Sequence, residues 1–208
     1  MSTDQIQYNN QLFKNLIPIY DAVAVFLIPV RNKIIKELKL PKNSKVLDVA
    51  CGTGTQALSL AKKNYEVTGI DLSSVMLKRA QEKMDNKYPV HFILGDATKL
   101  PFKSHVFDAS IISFGLHDMP ESIRTKVLQE MKRVTKKHGR ILVADYATPT
   151  DGFLAEIERP ISNLFESKYF ESFMKTGLNP YLQRAKLVVK KRIILLTGIA
   201  QLVICKNS

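Results

Sequence analysis

The sequence predicts an α/β protein: a seven-stranded mixed sheet with its last strand antiparallel, helices on both faces and a helical lid at the N-terminus. Three observations carry that prediction. Lys45–Asp71 reads as strand, glycine turn, helix, strand and acid. Short apolar runs then alternate with stretches of helical spacing as far as Tyr146. Two final apolar runs joined through Thr197-Gly198 form a pair at the sheet edge.

Taken in order, Asp4–Leu40 is expected to be helical, divided by Pro18 and Pro29. Phe26, Val30, Ile34 and Leu38 share one helical face, so a helix over Val30–Leu38 is expected to pack on the sheet. Val46–Ala50 is an apolar run with one acid inside it, as in a strand buried on both faces. Gly52-Thr-Gly54 turns the chain, and Ala57, Leu58, Leu60 and Ala61 follow at helical spacing. Tyr65–Ile70 is the second strand, closed by Asp71. Ser73 suits an N-cap for a helix over Val75–Met84. Val90–Leu94 and the β-branched Phe107–Phe114 are the third and fourth strands. Pro120 opens a helix with Ile123, Val127, Met131 and Val134 on one face, expected to run through a Lys- and Arg-rich last turn to Gly139. Arg140–Tyr146 is the fifth strand. Beyond it, Phe153–Lys175 and Leu178–Ala185 are expected to be helical, and Leu187–Leu195 and Ile199–Cys205 extended. No linker divides the chain, so residues 1–208 are expected to form a single domain. Within it, 1–40 would be the lid segment, 41–150 the cofactor-binding core, and 151–208 the acceptor-side helices with the terminal strand pair.

The glycine turn also fits a dinucleotide fingerprint, with Asp71 placed for a ribose. Asp48 separates the two readings. A pyrophosphate at this turn would meet a carboxylate at the strand's end, and like charges repel. An adenosine ligand without phosphate, carrying an amine and a sulfonium, would be attracted to it. S-adenosyl-L-methionine is such a ligand and is favoured over NAD. In open α/β sheets, ligands bind beyond the carboxyl ends of the strands, where Asp48, Asp71, Asp96 and Asp145 all fall.

VLDVACGTG, GIDLS and the Gly95-Asp96-Ala97 triplet resemble successive motifs of the class I S-adenosylmethionine-dependent methyltransferases, whose sheet is Rossmann-like. FKNLIPIYD (13–21), SFGLHD (113–118) and EMKRVTKKHGRILVADYATP (130–149) are similar to the C-methyltransferases of ubiquinone and menaquinone biosynthesis. The likeness covers residues 13–150 and continues more loosely through LTGIAQLVICK. It implies that Asp71 takes both ribose hydroxyls, and that Asp48, with the backbone around Ala50, Gly52 and Gly54, holds the methionine part. It also implies that Asp96 and Ala97 read the adenine edge, with Leu72 and Met76 against its faces. Ser113 would touch the cofactor from the fourth strand, and Tyr20 would close over its methyl end. Asp145 has no counterpart in the motifs and is expected to serve structure.

Methyl transfer is an in-line displacement, so alignment of donor and acceptor dominates. A phenol, hydroquinone or amine acceptor must also lose a proton. His117, just past the fourth strand, is the candidate catalytic base. The quinone enzymes carry Arg-Asn where this chain has His117-Asp118. Cys51 has no activating base near it in sequence and reads as a packed residue. The aromatic group Phe165, Tyr169, Phe170 and Phe173 either fills the core or lines an apolar acceptor site.

Composition narrows the partners. Hydrophobic content of 45% and charged content of 24% are those of a globular domain, and two cysteines do not make a disulfide framework. Leu16–Val30 is broken by Pro18, Asp21 and Pro29 and falls short of the ~20 residues of a membrane span. Met1–Asn10 shows no signal-peptide pattern, so a cytoplasmic protein is expected. The net charge of +12 is compatible with a solvated surface, with peripheral association with an anionic membrane surface, or with nucleic acid. Neither a Pro-Pro-aromatic motif after the fourth strand nor a Pro-Cys nucleophile is present, which disfavours a nucleic-acid methyltransferase. The expected partner is a small apolar or aromatic acceptor, quinone-like or lipid-like. The alternatives are an RNA methyltransferase and a non-catalytic protein that binds S-adenosylmethionine.

Overall fold

The structure is a computed structural model that describes residues 25–85, 87–148 and 169–207. Its order is α1 (Ile28–Leu38), β1 (Lys45–Val49), α2 (Thr55–Ala61), β2 (Glu66–Asp71), α3 (Ser74–Glu82), β3 (Val90–Leu94) and β4 (Phe107–Ser113). There follow α4 (Glu121–Val134), β5 (Thr135–Tyr146), α5 (Phe170–Thr176), α6 (Asn179–Arg184), β6 (Val188–Leu195), a 3-10 turn at Leu196–Gly198 and β7 (Ala200–Lys206). The seven strands lie in the order β3-β2-β1-β4-β5-β7-β6. β1 to β5 pair in parallel, and β7 runs antiparallel to both β5 and β6. This is the predicted mixed Rossmann-like sheet.

β1, β4 and β7 bury both faces because apolar residues occupy both sides of each strand, whereas the edge strands β3 and β6 are largely exposed or half-buried. In β5, Ile141 and Val143 face a core shared with α4, α5 and α6, whereas Leu142 and Ala144 face α1 and α2. The predicted face of α1, Val30, Ile34 and Leu38, is buried on that second side. Ser73 caps α3 as predicted, its hydroxyl accepting from the Met76 amide at 3.3 Å.

The end of α4 is a correction. The helix stops at Val134 rather than Gly139, and Thr135 is already extended. Tertiary partners replace further helical turns. The Thr135 hydroxyl donates to the Met131 carbonyl at 2.6 Å, and the Asn207 side-chain amide donates to the carbonyls of Lys132 and Thr135 at 2.9 and 2.7 Å. Lys136 pairs with Asp108 at 2.7 Å instead of sitting at a helix end. Residues 1–24, with Tyr20 and most of the expected lid, lie outside the described residues, as do 149–168, which include Phe165 and most of the helix expected over Phe153–Lys175.

The chain order reverses between β1 and β4, its connections running to β2 and β3 on one side and to β5 on the other. A crevice opens beyond the carboxyl ends at such a point. No helix of the described residues is long and apolar enough to cross a membrane.

Candidate active site

The crevice is built from the loops that leave β1, β2, β3 and β4. Ala50 and Phe114, the first residues past β1 and β4, take φ of 53° and 51°, a left-handed conformation costly for side-chain-bearing residues. Gly52 and Gly54 take φ of 54° and 73°. A Cβ on Gly54 would sit 2.6 Å from Phe92 Cζ, whereas one on Gly52 would meet nothing within 4 Å. Gly54 is therefore required by packing and backbone, and Gly52 leaves open space beside the turn.

Asp71 organises the turn. One oxygen accepts the Gly52 amide at 2.7 Å and the other accepts the Ser73 amide at 2.9 Å. Burial raises its proton affinity, and the amides of Ser73, Gly52 and Leu72 offset part of the rise. Each carboxylate oxygen keeps acceptor capacity for a further donor.

Asp48 is the unusual group. It lies inside β1, only 1% exposed, and neither carboxylate oxygen makes a hydrogen bond of ordinary geometry among the described residues. Burial, followed by the charge of Asp71, pushes its pKa up to about 7, although Arg31 and, less, the Ala57 amide pull the other way. A buried carboxylate so weakly compensated is costly unless a ligand supplies a cation or donors. A carboxylate in this state could take the ammonium end of a ligand.

The remaining predicted residues lie on the same rim. Asp96 is half-buried and accepts the Thr98 amide at 2.8 Å; Ala97 beside it packs on the core. Leu72 is half-buried, Met76 is buried in the first turn of α3, and Ser113 ends β4 beside Ala144 of β5. Cys51 carries a thiol whose proton affinity burial, then Asp71 and Asp48, push well above the ordinary value, which suits a packed residue and not a nucleophile.

His117 is 4% exposed. Its Nδ1 donates to Asp145 Oδ1 at 2.7 Å, and its Nε2 lies 3.4 Å from Asp118 Oδ2. Burial alone would lower its proton affinity, but the charges of Asp118 and Asp145 raise it well above the ordinary value. Both ring nitrogens of the imidazole thus face carboxylates. The rings of Tyr146, Phe170 and Phe173 lie edge-on around it, centroids 4.9, 5.9 and 6.3 Å away.

Asp145, expected to serve structure, is fully buried and is the partner of His117 across 28 residues. Arg124 escaped sequence reasoning: it is fully buried in α4, at helical spacing from Leu128 and Met131, and a cation on an apolar stripe was the signal that could have found it.

A sequence family described as a methyltransferase domain matches residues 46–139. A demethylmenaquinone methyltransferase of Paenarthrobacter aurescens (strain TC1) is 37% identical over 143 residues, which is 66% of this chain and 54% of that protein. The chain spans about half the length of the curated relatives it matches. Among solved structures, the [4+2]-cyclase SpnF superposes with a TM-score of 0.75 at 17% identity, covering 95% of this chain and 94% of that one. An S-adenosylmethionine-dependent methyltransferase of Aquifex aeolicus does so with a TM-score of 0.63 at 24% identity, covering 86% and 89%. A fold shared with a cyclase does not by itself select a reaction.

Proposed function

We propose that the protein transfers a methyl group from S-adenosyl-L-methionine to a small apolar or aromatic acceptor, quinone-like or lipid-like, a reading supported by the match of residues 46–139 to a methyltransferase domain. The observation that carries the reading is Asp48, a carboxylate buried at the point where the sheet order reverses, whose oxygens make no hydrogen bond of ordinary geometry among the described residues.

In this reading Asp48 takes the ammonium and the amides around Ala50, Gly52 and Gly54 take the methionine backbone. Asp71 uses its remaining lone pairs for the ribose hydroxyls, while Asp96 and Ala97 meet the adenine edge and Leu72 and Met76 its faces. Ser113 flanks the methionine part from β4. Tyr20 is kept as a contact on sequence grounds. When bound, S-adenosylmethionine supplies an electrophilic methyl group on a sulfonium. The chain's own work is alignment and exclusion of water, for which the left-handed turns at Ala50 and Phe114 provide fixed backbone.

His117 is kept on the acceptor side: Asp145 and Asp118 hold its two ring nitrogens and fix the orientation in which the imidazole meets a phenol or hydroquinone. The relatives named as demethylmenaquinone methyltransferases support a quinone-like acceptor. Lys132, Arg133, Lys136 and Lys191 make hydrogen bonds within the fold, which weakens the case for a nucleic-acid substrate. The net charge of +12 favours transient contact with an anionic bilayer, where apolar acceptors reside. Two free cysteines fit a reducing, cytoplasmic setting.

The test is incubation with labelled S-adenosylmethionine and a reduced 1,4-naphthoquinone lacking its ring methyl, reading S-adenosylhomocysteine and methylated product. Product formation supports the reading. Calorimetric binding of S-adenosylmethionine with no turnover on naphthoquinols, phenols or lipids would make the chain a binding protein. Methylation of tRNA alone would move it to the nucleic-acid class.

A further inference from the structure

The loop between β4 and α4 is pinned from both sides of its backbone. On the amide side, Asp145 Oδ2 accepts from the Leu116 and His117 amides at 3.1 and 3.4 Å, while its Oδ1 holds His117 Nδ1. On the carbonyl side stands Arg124. Its Nε donates to the Leu116 and Met119 carbonyls at 3.1 and 3.0 Å, and one terminal nitrogen reaches the His117 carbonyl at 3.5 Å.

Arg124 also leaves the loop. The same terminal nitrogen donates to the Tyr169 carbonyl at 2.9 Å, and the other donates to the Tyr181 hydroxyl at 2.9 Å. The guanidinium carbon lies 5.2 Å from the Phe173 ring centroid and 5.4 Å from that of Tyr181. Phe173 is on α5 and Tyr181 on α6, and Tyr169 precedes α5. One side chain therefore joins three segments that are neighbours only in space. Among the described residues its partners are carbonyls, a hydroxyl and ring faces, so that within them the cation neutralises no acid and instead holds geometry. A planar fork of five N–H groups can reach all of them at once; a lysine ammonium cannot.

We propose that Arg124 is a positioning residue for methyl transfer, registering the loop that carries His117 against the acceptor-side helices α5 and α6. The inference rests on the reading of His117 as an acceptor-side residue. Closure of α5 and α6 on an acceptor and the placement of the His117–Asp145 pair are then one event, linked through a single guanidinium. The segment of the acceptor site that recognises the substrate is thereby tied to the segment that prepares it for attack.

The test uses the full chain and the variants Arg124→Met, Arg124→Lys and Tyr181→Phe. Nuclear magnetic resonance follows exchange of the His117 Nδ1 proton with water, with the amides of Ile111 and Leu142 in the sheet core as internal controls. In Arg124→Met the His117 proton exchanges at least about tenfold faster while the core amides keep their protection, because the loop opens locally. Tyr181→Phe shifts it in the same direction by less, and Arg124→Lys does not restore the parent rate. With S-adenosylmethionine and the naphthoquinol, kcat falls by about 100-fold in Arg124→Met with little change in KM for S-adenosylmethionine.

An unchanged His117 proton in any folded Arg124 variant overturns the proposal. So does a rise that only tracks the core amides, which would mark Arg124 as a general stabiliser, and so does full rescue by lysine. If Arg124→Met fails to fold, Tyr181→Phe decides by the same exchange measurement. Absence of turnover in the parent protein would count against the acceptor, whereas the exchange measurement needs no acceptor and judges Arg124 by itself.

Discussion

Asp71 at the end of β2 accepts the Gly52 amide at 2.7 Å, and so the acid expected to hold a ribose also holds the turn that would lie under it. Binding and turn geometry are coupled in one carboxylate. Asp71→Ala removes the ribose contact and frees the amides of Gly52 and Ser73 together. Calorimetry with S-adenosylhomocysteine is expected to show a loss of at least about 100-fold in affinity, since hydrogen bonds to a charged acceptor are the strong ones.

Asp48 sets a conflict between stability and binding. Its pKa in the fold is raised to about 7, so the folded state holds this proton more tightly than the unfolded chain does. Its contribution to stability is complete below the unfolded value, about 4, and is lost as pH rises through about 7. Ligand affinity runs in the opposite sense, because an ammonium needs the ionised carboxylate. S-adenosylhomocysteine is expected to bind roughly eightfold more tightly at pH 7.5 than at pH 6, with proton release on binding near pH 6.5. Asp48→Asn should raise the melting temperature of the ligand-free protein, weaken binding, and flatten its pH dependence. Lower stability in that variant would show that the carboxylate has partners that offset its burial.

His117→Ala is expected to leave S-adenosylhomocysteine affinity within about threefold of the parent, since His117 belongs to the loop after β4 and not to the glycine turn, while turnover falls by ~10²-fold. Asp145→Asn removes one of the two charges that hold the imidazole. The His117 titration, followed by its ring carbon shifts, should move downward in that variant. A midpoint that stays in place would leave Asp118 as the sole source of the rise.

Neither thiol is poised to react. Burial and two carboxylates push Cys51 well up, and burial pushes Cys205 up to about 11 against the pull of Arg192. At pH 7.5 the folded protein should react with an aromatic disulfide reagent at least about 100-fold more slowly than the denatured chain. Fast labelling of one thiol, mapped to Cys51, would reopen a chemical role for it.

Gly54→Ala combines a left-handed φ of 73° with a Cβ 2.6 Å from Phe92 and 2.8 Å from the Ala80 methyl. Denaturant titration should show a loss of about 2 kcal/mol or more, and binding should weaken with it. Gly52→Ala meets no such contacts, so its cost is confined to backbone strain and its main effect is on the ligand.

What the amino-acid order determined by itself was everything with a short range. Apolar runs placed β1 to β4 within a residue or two, Ser73 announced its helix, and the spacing from Asp48 through Gly54 to Asp71 marked the glycine turn between β1 and α2. These signals are local because a strand's alternation, a cap and a glycine turn act over a few peptide units. Tertiary structure decided what depends on which strands become neighbours. Placing β5 beside β4 brings Asp145 to His117 and gives the ring of the expected base a buried carboxylate partner. Docking α5 and α6 on α4 gives the buried Arg124 its partners, and Asn207 near the far end of the chain stops α4 at Val134. Each of those outcomes is a charge or a carbonyl satisfied by a residue distant in sequence, and in a buried site that partner, more than the side chain's own chemistry, determines its protonation and its reach.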